Sequence, residues 1–592
     1  MLPELMRRIE AADALSFDVF DTLFVRPLAD PEDLFDLIGE RFGIAQFRRL
    51  RQQAQTRAFE RMKAEGRREI TLDDIYACFD PVSVPAATLR DAEYALELEL
   101  TLPNPRLMPV FKAWVGKKPV VVTSDMYLPR AFFDDLLKRH GVEPHAVFVS
   151  SERNATKRDS GELFDIVKDE LGIPAPRILH IGDNRVSDVE RAQEKGLAAY
   201  HYTDPLAAGV RKEPSTSGSI ASALLRSVDN APEPGSFTEL GYRYGGPAAV
   251  GFLDWIVREA KTDRIDRILF VSRDGHILDR LARELPALPE GTLPPFSYFK
   301  GSRVAFTLAA TDERNFDAQM QFFLSGAYGL RPIELLERIG VTPPSDAVMD
   351  GLGLGENFVI GEDNLARVAD FLSASRAEIL QVCRRNRRGL FSYLLAAGVK
   401  PGERIAMIDV GWNGTTQDAL SEVLAQLLDV ELFGYYLCLS DTEDCQRRQK
   451  RLNMKALLST ATLGAERLKA VYTNRVAIEL FFSAPHDAVI GYALEPDGQV
   501  TVVEDAGRIV VSEHASVSQE IAAGIQQFSR DFRALCARIS VTPDPLGTAM
   551  PIASFAANIE PEALRLLASV ENFDAWASTR NERVGLASYL LG

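Results

Sequence analysis

Cysteine is scarce in this chain, with five in 592 residues, at Cys78, Cys383, Cys438, Cys445 and Cys536. None forms a C-x-x-C pair and none has a histidine at metal-ligand spacing, which excludes a zinc module and a disulfide framework and fits a reducing compartment. A basic surplus is also lacking. The net charge of −17 argues against a general nucleic-acid or anionic-membrane surface, since both need basic patches, while leaving room for a local basic pocket around an anionic substrate. Long apolar runs are missing too: no window approaches the ~20 residues of a membrane span. The stretch from Met1 to Ala14 carries acids and no continuous apolar core, so it does not read as a signal peptide. A soluble, cytoplasmic protein without membrane insertion or a nucleic-acid partner is expected.

The material present is ordinary for a globular protein, 46% apolar and 26% charged, and the length predicts two to four domains. Four segments in the first third stand out. Leu15 to Leu23 is a short apolar run that breaks at Asp18 and reaches Thr22. Val120 to Asp125 is a second run, ending in Thr123 and Ser124. Lys157 and Arg158 stand just before a helical pattern. Ile178 to Asn184 is a third run that ends in Asp183, with Asp188 five residues on. A buried strand that ends in a polar group presents it at the carboxyl edge of a parallel sheet, where α/β folds keep their chemistry.

Asp, Ser/Thr, Lys and an acidic pair, in that order, resemble the motif series of the haloacid dehalogenase (HAD) superfamily over roughly residues 10–205. The resemblance implies Asp18 as a nucleophile that forms an aspartyl-phosphate, with Thr22 in the same motif. Ser124 or Thr123 then holds a phosphate oxygen, and Lys157 neutralises charge. The implied metal site takes Mg²⁺ at Asp18, Phe20, Asp183 and Asp188. A metal, a lysine and hydroxyl donors are what an anionic nucleophile needs to approach a phosphoryl group. Two features depart from the pattern. Hydrolytic members read D-x-D-G-T, whereas Phe20 occupies the second acid's position and an acid follows at Asp21, either as a substitute proton donor or as a turn residue. Dehalogenases carry an aromatic there, but the retained Asp183 favours phosphate oxygens over a halide. Whether Lys157 or Arg158 faces the site depends on loop register.

Between the first two motifs, residues from about 30 to 102 read as helices only, matching the place of the superfamily's C1 cap (about 26–115). Residues 206–237, rich in Ser, Gly, Ala and Pro, read as a linker with at most one short helix. From 238 to 592 a second α/β domain is expected, read as a degenerate HAD-like domain with an unrelated α/β domain as the alternative. In it Ser272 stands where the nucleophile belongs, Asp274 follows, and a Gly-rich segment runs from Asp409 past Asn413. Ser272, Arg273, Asp274, Ser302, Arg303, Asp409 and Asn413 are its candidate ligand residues. Ala488 to Val511 reads as a β-hairpin or meander and Ser516 to Ile539 as an amphipathic helix suited to packing or self-association, leaving a homo-oligomer open. The fold class is therefore α/β: a HAD-like Rossmannoid parallel sheet with a helical cap, then a second α/β domain. The segments at Ser16–Leu23, Thr123–Pro129, Ser272–His276 and Asp409–Thr415 together resemble large bacterial predicted HAD hydrolases associated with surface-polysaccharide biosynthesis. That implies a small phosphorylated substrate, a sugar phosphate among the options, and a glycosyltransferase as partner. The alternatives are a non-catalytic sugar-phosphate-binding or scaffold protein and, behind it, a dehalogenase-type hydrolase.

Overall fold

The apolar run that ends at Asp18 forms β1 (Ala14–Phe17), buried at every position. The computed structural model describes residues 2–204, 207–284, 293–505, 512–572 and 584–585. It divides into two units, Met1–Ala231 with Arg530–Pro551, and Pro232–Ser529 with Ile552–Gly592.

In the first unit β1 is flanked by β2 (Val120–Ser124), β3 (Ala146–Val149), β4 (Ile178–Gly182) and β5 (Ala198–His201), in the order β3-β2-β1-β4-β5. All pairings are parallel, with Phe17 opposite Val122 on one side and Ile181 on the other. Strands buried on both faces read as unbroken apolar runs, which is why these segments show no alternation. The chain leaves β1 towards β2 but leaves β4 towards β5. Their carboxyl ends therefore splay apart at the reversal of strand order, the place where open α/β sheets bind ligands.

Between β1 and β2 lie the helices Asp33–Phe42, Phe47–Ala64, Leu72–Ala77 and Ala86–Leu100, followed by Met108–Trp114. A two-residue antiparallel ribbon, Val25 against Leu102, closes the base of this helical excursion. Its centre is polar: Arg51, fully buried, makes two 2.7 Å bonds to Glu93, which also accepts from the Tyr76 hydroxyl. With every charge partnered, such a pair tolerates burial, and losing one partner costs about 3–5 kcal/mol. Residues 206–237 include the helix Thr216–Ala223, seven of whose residues are buried. Ser219 Oγ there accepts the Ala29 N–H at 2.8 Å. Small residues serve close packing in this segment, since a Cβ on Gly218 would lie 2.8 Å from both Glu213 Cβ and the Gly547 carbonyl.

The second unit is built on a second five-stranded parallel sheet: β6 (Arg267–Val271), β7 (Phe296–Phe299), β8 (Arg404–Asp409), β9 (Glu431–Cys438) and β10 (Asn453–Leu458). The order is β10-β9-β8-β6-β7. The first of its strands along the chain, β6, thus neighbours the second and third, whereas in the first unit β1 neighbours the second and fourth. The two sheets share class and direction and differ in strand order. Helices between β7 and β8 carry a separate core that includes Phe323, Leu335, Leu336 and Ile379. The expected hairpin is β11 (Val489–Leu494) against β12 (Val500–Glu504), antiparallel; residues 506–511 of that expectation lie outside the described residues. The expected amphipathic helix spans Ser512–Arg538. Residues 573–583 and 586–592 of the expected second domain also lie outside the described residues.

Candidate active site

Asp18 continues β1 by one residue, its N–H bonding the Ile181 carbonyl at 2.9 Å, and is 7% exposed. Across the switch point β4 delivers Asp183, and the following turn returns Asp188. Asn184 starts that turn: its side chain accepts the N–H groups of Val186 and Ser187 at 3.0 Å, and its own N–H bonds Asp188 at 2.9 Å. Gly182 is required by the return, because a Cβ there would sit 2.4 Å from the Asp188 carboxyl carbon. Lys157, 2% exposed, donates to Asp18 and Asp188, each at 2.6 Å. Asp125 positions it by accepting the backbone N–H of Lys157 and of Arg158, both at 2.8 Å.

Burial, reinforced by the charges of Asp188 and Asp183 and opposed by Lys157, pushes Asp18 up to about 8. Burial, then the charges of Asp21 and Asp188, pushes Asp183 up to about 6. Asp188 goes the other way: although burial opposes it, Lys157 and His180 hold it well below the usual carboxylate range. Lys157 lies above the usual lysine value because Asp18, Asp188 and Asp125 outweigh burial. Crowded carboxylates facing a single ammonium are short of positive charge. Asp18, Asp183 and Asp188 bring oxygens within 4.8 Å of one another, and an all-oxygen, anionic donor set suits a hard divalent cation. The residues present therefore fit Mg²⁺.

The other expected residues sort by strand geometry. Neighbouring strand residues face opposite sides. Thr123 bonds Ser16 Oγ at 2.8 Å, whereas the Ser124 hydroxyl is buried and has no partner among the described residues. Thr22 donates to Asp183 at 3.4 Å. Phe20 has no ligand atom beyond its carbonyl; its ring lies under the Arg26 guanidinium, 4.7 Å from the centroid, and Arg26 pairs with Glu97 at 2.8 Å. Arg158 turns away to Glu69, at 2.7 and 2.8 Å, so of the two adjacent cations Lys157 meets Asp18. Asp21 adopts a left-handed φ of 55° and bonds Arg226 at 2.7 Å.

Residues not anticipated as site members extend this network. His180 is fully buried, with Ser16 Oγ 2.8 Å from Nδ1 and Asp188 3.2 Å from Nε2. Since a carboxylate only accepts, Nε2 carries the proton and Nδ1 takes the Ser16 hydroxyl, which in turn accepts from Thr123. Burial holds His180 below its usual value, so it backs Asp188 as a neutral donor. A histidine inside the run Ile178–Gly182 was the available signal.

In the second unit the carboxyl groups of Asp274 and Asp409 face each other past the adjacent ends of β6 and β8. Asp274 also accepts the Val410 N–H at 3.3 Å. Burial and the Asp274 charge push Asp409 well above the usual range. Ser272 precedes them, its hydroxyl donating to the Gly301 carbonyl at 3.0 Å, and Arg273 beside it is half-buried. Ser302 is engaged elsewhere: it caps the helix Arg303–Ala310 and donates to the Val489 carbonyl at 2.6 Å, and Arg303 is exposed. The Asn413 amide is held by Ser440, Thr442 and Tyr472.

No family model matches the chain, and no curated protein is similar to it. Among solved structures, the L-2-haloacid dehalogenase from Xanthobacter autotrophicus is similar at 16% identity over 33% of this chain and 82% of that one, with a TM-score of 0.26. A HAD family enzyme from Bacteroides thetaiotaomicron, in complex with magnesium and inorganic phosphate, is similar at 15% identity over 32% of this chain and 94% of that one, with a TM-score of 0.23. Scores this low carry no activity across.

Proposed function

We propose that the first unit is a Mg²⁺-dependent phosphohydrolase or phosphotransferase that works through an aspartyl-phosphate on Asp18. The observation that carries this reading is the buried Ser124 hydroxyl, which has no partner among the described residues and stands at the carboxyl end of the strand paired with β1, the edge that carries the Asp18–Lys157–Asp188 cluster. A buried hydroxyl without a partner costs about 1–3 kcal/mol unless a ligand completes it. In this reading a phosphate oxygen accepts from Ser124 while Lys157, kept protonated by its carboxylates, offsets the charge of the approaching dianion. Asp18 makes the bond to phosphorus, His180 and Asn184 keep Asp188 turned to Lys157, and Thr22 steadies Asp183. Mg²⁺ held by Asp18 and Asp183, with Asp188 beside them, would neutralise charge on the phosphoryl oxygens. The helical excursion, as a cap, excludes water from the intermediate.

The substrate is proposed to be a small phosphorylated metabolite. A sugar phosphate of surface-polysaccharide biosynthesis and a glycosyltransferase partner rest on the sequence resemblance alone; a cytoplasmic location rests on the scarce, unpaired cysteines and the lack of a long apolar run, and self-association on the amphipathic helix Ser512–Arg538. For the second unit we propose ligand binding around Asp274 and Asp409, at its own reversal of strand order. A carbon–halogen substrate fits less well, because a halide has no use for three clustered carboxylates. The non-catalytic alternative draws its support from Phe20. The deciding experiment is incubation with acetyl phosphate and Mg²⁺, followed by rapid acid quench and peptide mapping. Phosphate on the Asp18 peptide, absent from Asp18→Asn, is expected; turnover by Asp18→Asn at the wild-type rate removes the assignment.

A further inference from the structure

Among the described residues, every acid around Asp18 is already committed. Asp188 serves Lys157, His180 and the Asn184 N–H, Asp183 takes the Thr22 hydroxyl, and Asp125 holds the backbone of Lys157 and Arg158. Asp21 is the remaining acid of the catalytic loop. Its carboxylate accepts from Arg226 at 2.7 Å, and Arg226 is gripped from its other edge by Asp204 at 2.9 Å. The Arg226 side chain is 11% exposed. It is supplied by Leu224–Ser227, the short helical turn that follows the packed helix Thr216–Ala223, beyond the five-stranded sheet. A guanidinium keeps its proton and offers a fixed fork. Asp21 is therefore an acceptor built into an ion triad, with a non-glycine left-handed backbone that ties it to the turn.

We infer that Arg226 is a positioning residue of this site: by holding Asp21 it withholds a proton donor from the departing oxygen, so the natural phosphoryl donors are those with acidic leaving groups, acyl phosphates or phosphoanhydrides. The inference rests on the aspartyl-phosphate reading. In the first step an Asp18 oxygen bonds phosphorus and the P–O bond to the leaving group breaks. The electron pair stays on the departing oxygen, which leaves as a carboxylate or phosphate anion and needs no proton. In the second, water bonds phosphorus, the Asp18 O–P bond breaks with its electron pair returning to the carboxylate, and the water's proton passes to the released phosphate.

The test compares kcat/KM of the full chain with Mg²⁺ on acetyl phosphate, p-nitrophenyl phosphate and ethyl phosphate. Wild type is expected to disfavour ethyl phosphate by about 10²–10⁴, the usual worth of a placed general acid. Arg226→Met releases Asp21 and should narrow that gap at least about tenfold, Arg226→Lys should restore it, and Asp21→Asn should leave the ratio between donors as in wild type. The inference is overturned by a wild type indifferent to the leaving group, by a gap that Arg226→Met leaves unchanged, or by Asp21→Asn selectively losing ethyl phosphate. Should Arg226→Met fail to fold, the Asp21→Asn ratio decides alone. No turnover of any donor, with no label on Asp18, overturns the aspartyl-phosphate reading and the inference with it.

Discussion

Replacing Asp18 by Asn should inactivate the first unit and stabilise it when metal is absent. The carboxyl group is buried, and its value of about 8 stands roughly four units above an ordinary aspartate. A raised acid binds more protons folded than unfolded, so its contribution to stability is full below the unfolded value and is lost as pH rises through the folded one. At ~1.36 kcal/mol per unit the ceiling near pH 7 is about 4 kcal/mol. Asn removes the charge but keeps an oxygen for Lys157, which donates to Asp18 at 2.6 Å. A net gain of about 1–3 kcal/mol at pH 8, shrinking towards pH 5, is expected. Urea unfolding of the full chain without metal, with a probe in the first unit, measures it. The same titration with saturating Mg²⁺ should stabilise wild type and leave the variant unmoved. A variant less stable than wild type at pH 8, or one equally stabilised by Mg²⁺, refutes the reasoning.

Mg²⁺ affinity should strengthen as pH rises from about 5 to 8, because ligation must displace protons from Asp183, at about 6, and Asp18, at about 8; calorimetry in two buffers reads both affinity and proton release. Ser124→Ala should cost about 10–100-fold in kcat/KM for phosphoryl donors and raise the unfolding midpoint of the ligand-free protein, since among the described residues the buried hydroxyl has no partner and its removal relieves about 1–3 kcal/mol. In the second unit, Asp409→Asn should flatten a loss of stability that wild type shows as pH rises from about 4, the sign expected for an acid raised by burial; identical pH profiles would count against a raised Asp409.

The motifs of the first unit were legible because three of its buried strands announce themselves as apolar runs, each ending in a residue of the candidate site: Asp18, Ser124, Asp183. Lys157 could not be told from Arg158 in advance, since the choice is made by Asp125 gripping both backbone N–H groups from another loop. Ser124 could not be told from Thr123 without the Ser16 hydroxyl on the neighbouring strand. His180 sits in a run that reads as core, and its role follows from Asp188, which a turn brings back through the space Gly182 leaves open. Arg226 was hidden most completely. It lies in a Ser- and Gly-rich stretch that composition assigns to a linker, while small residues there serve close packing. In the second unit only the strands before Ser272 and Asp409 were readable among the five of its sheet, and strand order was not, because it depends on which side each crossover takes. Asp274 and Asp409 became neighbours only once β6 and β8 were adjacent.

The account stands most directly on Asp18 as the atom that bonds phosphorus. A crystal structure of the protein with Mg²⁺ and beryllofluoride tests it: the fluoride mimic should be bonded to an Asp18 oxygen, with Ser124 and Lys157 donating to its fluorines and the metal held by Asp18 and Asp183. Beryllofluoride bound away from Asp18, or a metal that ignores Asp183, would contradict it.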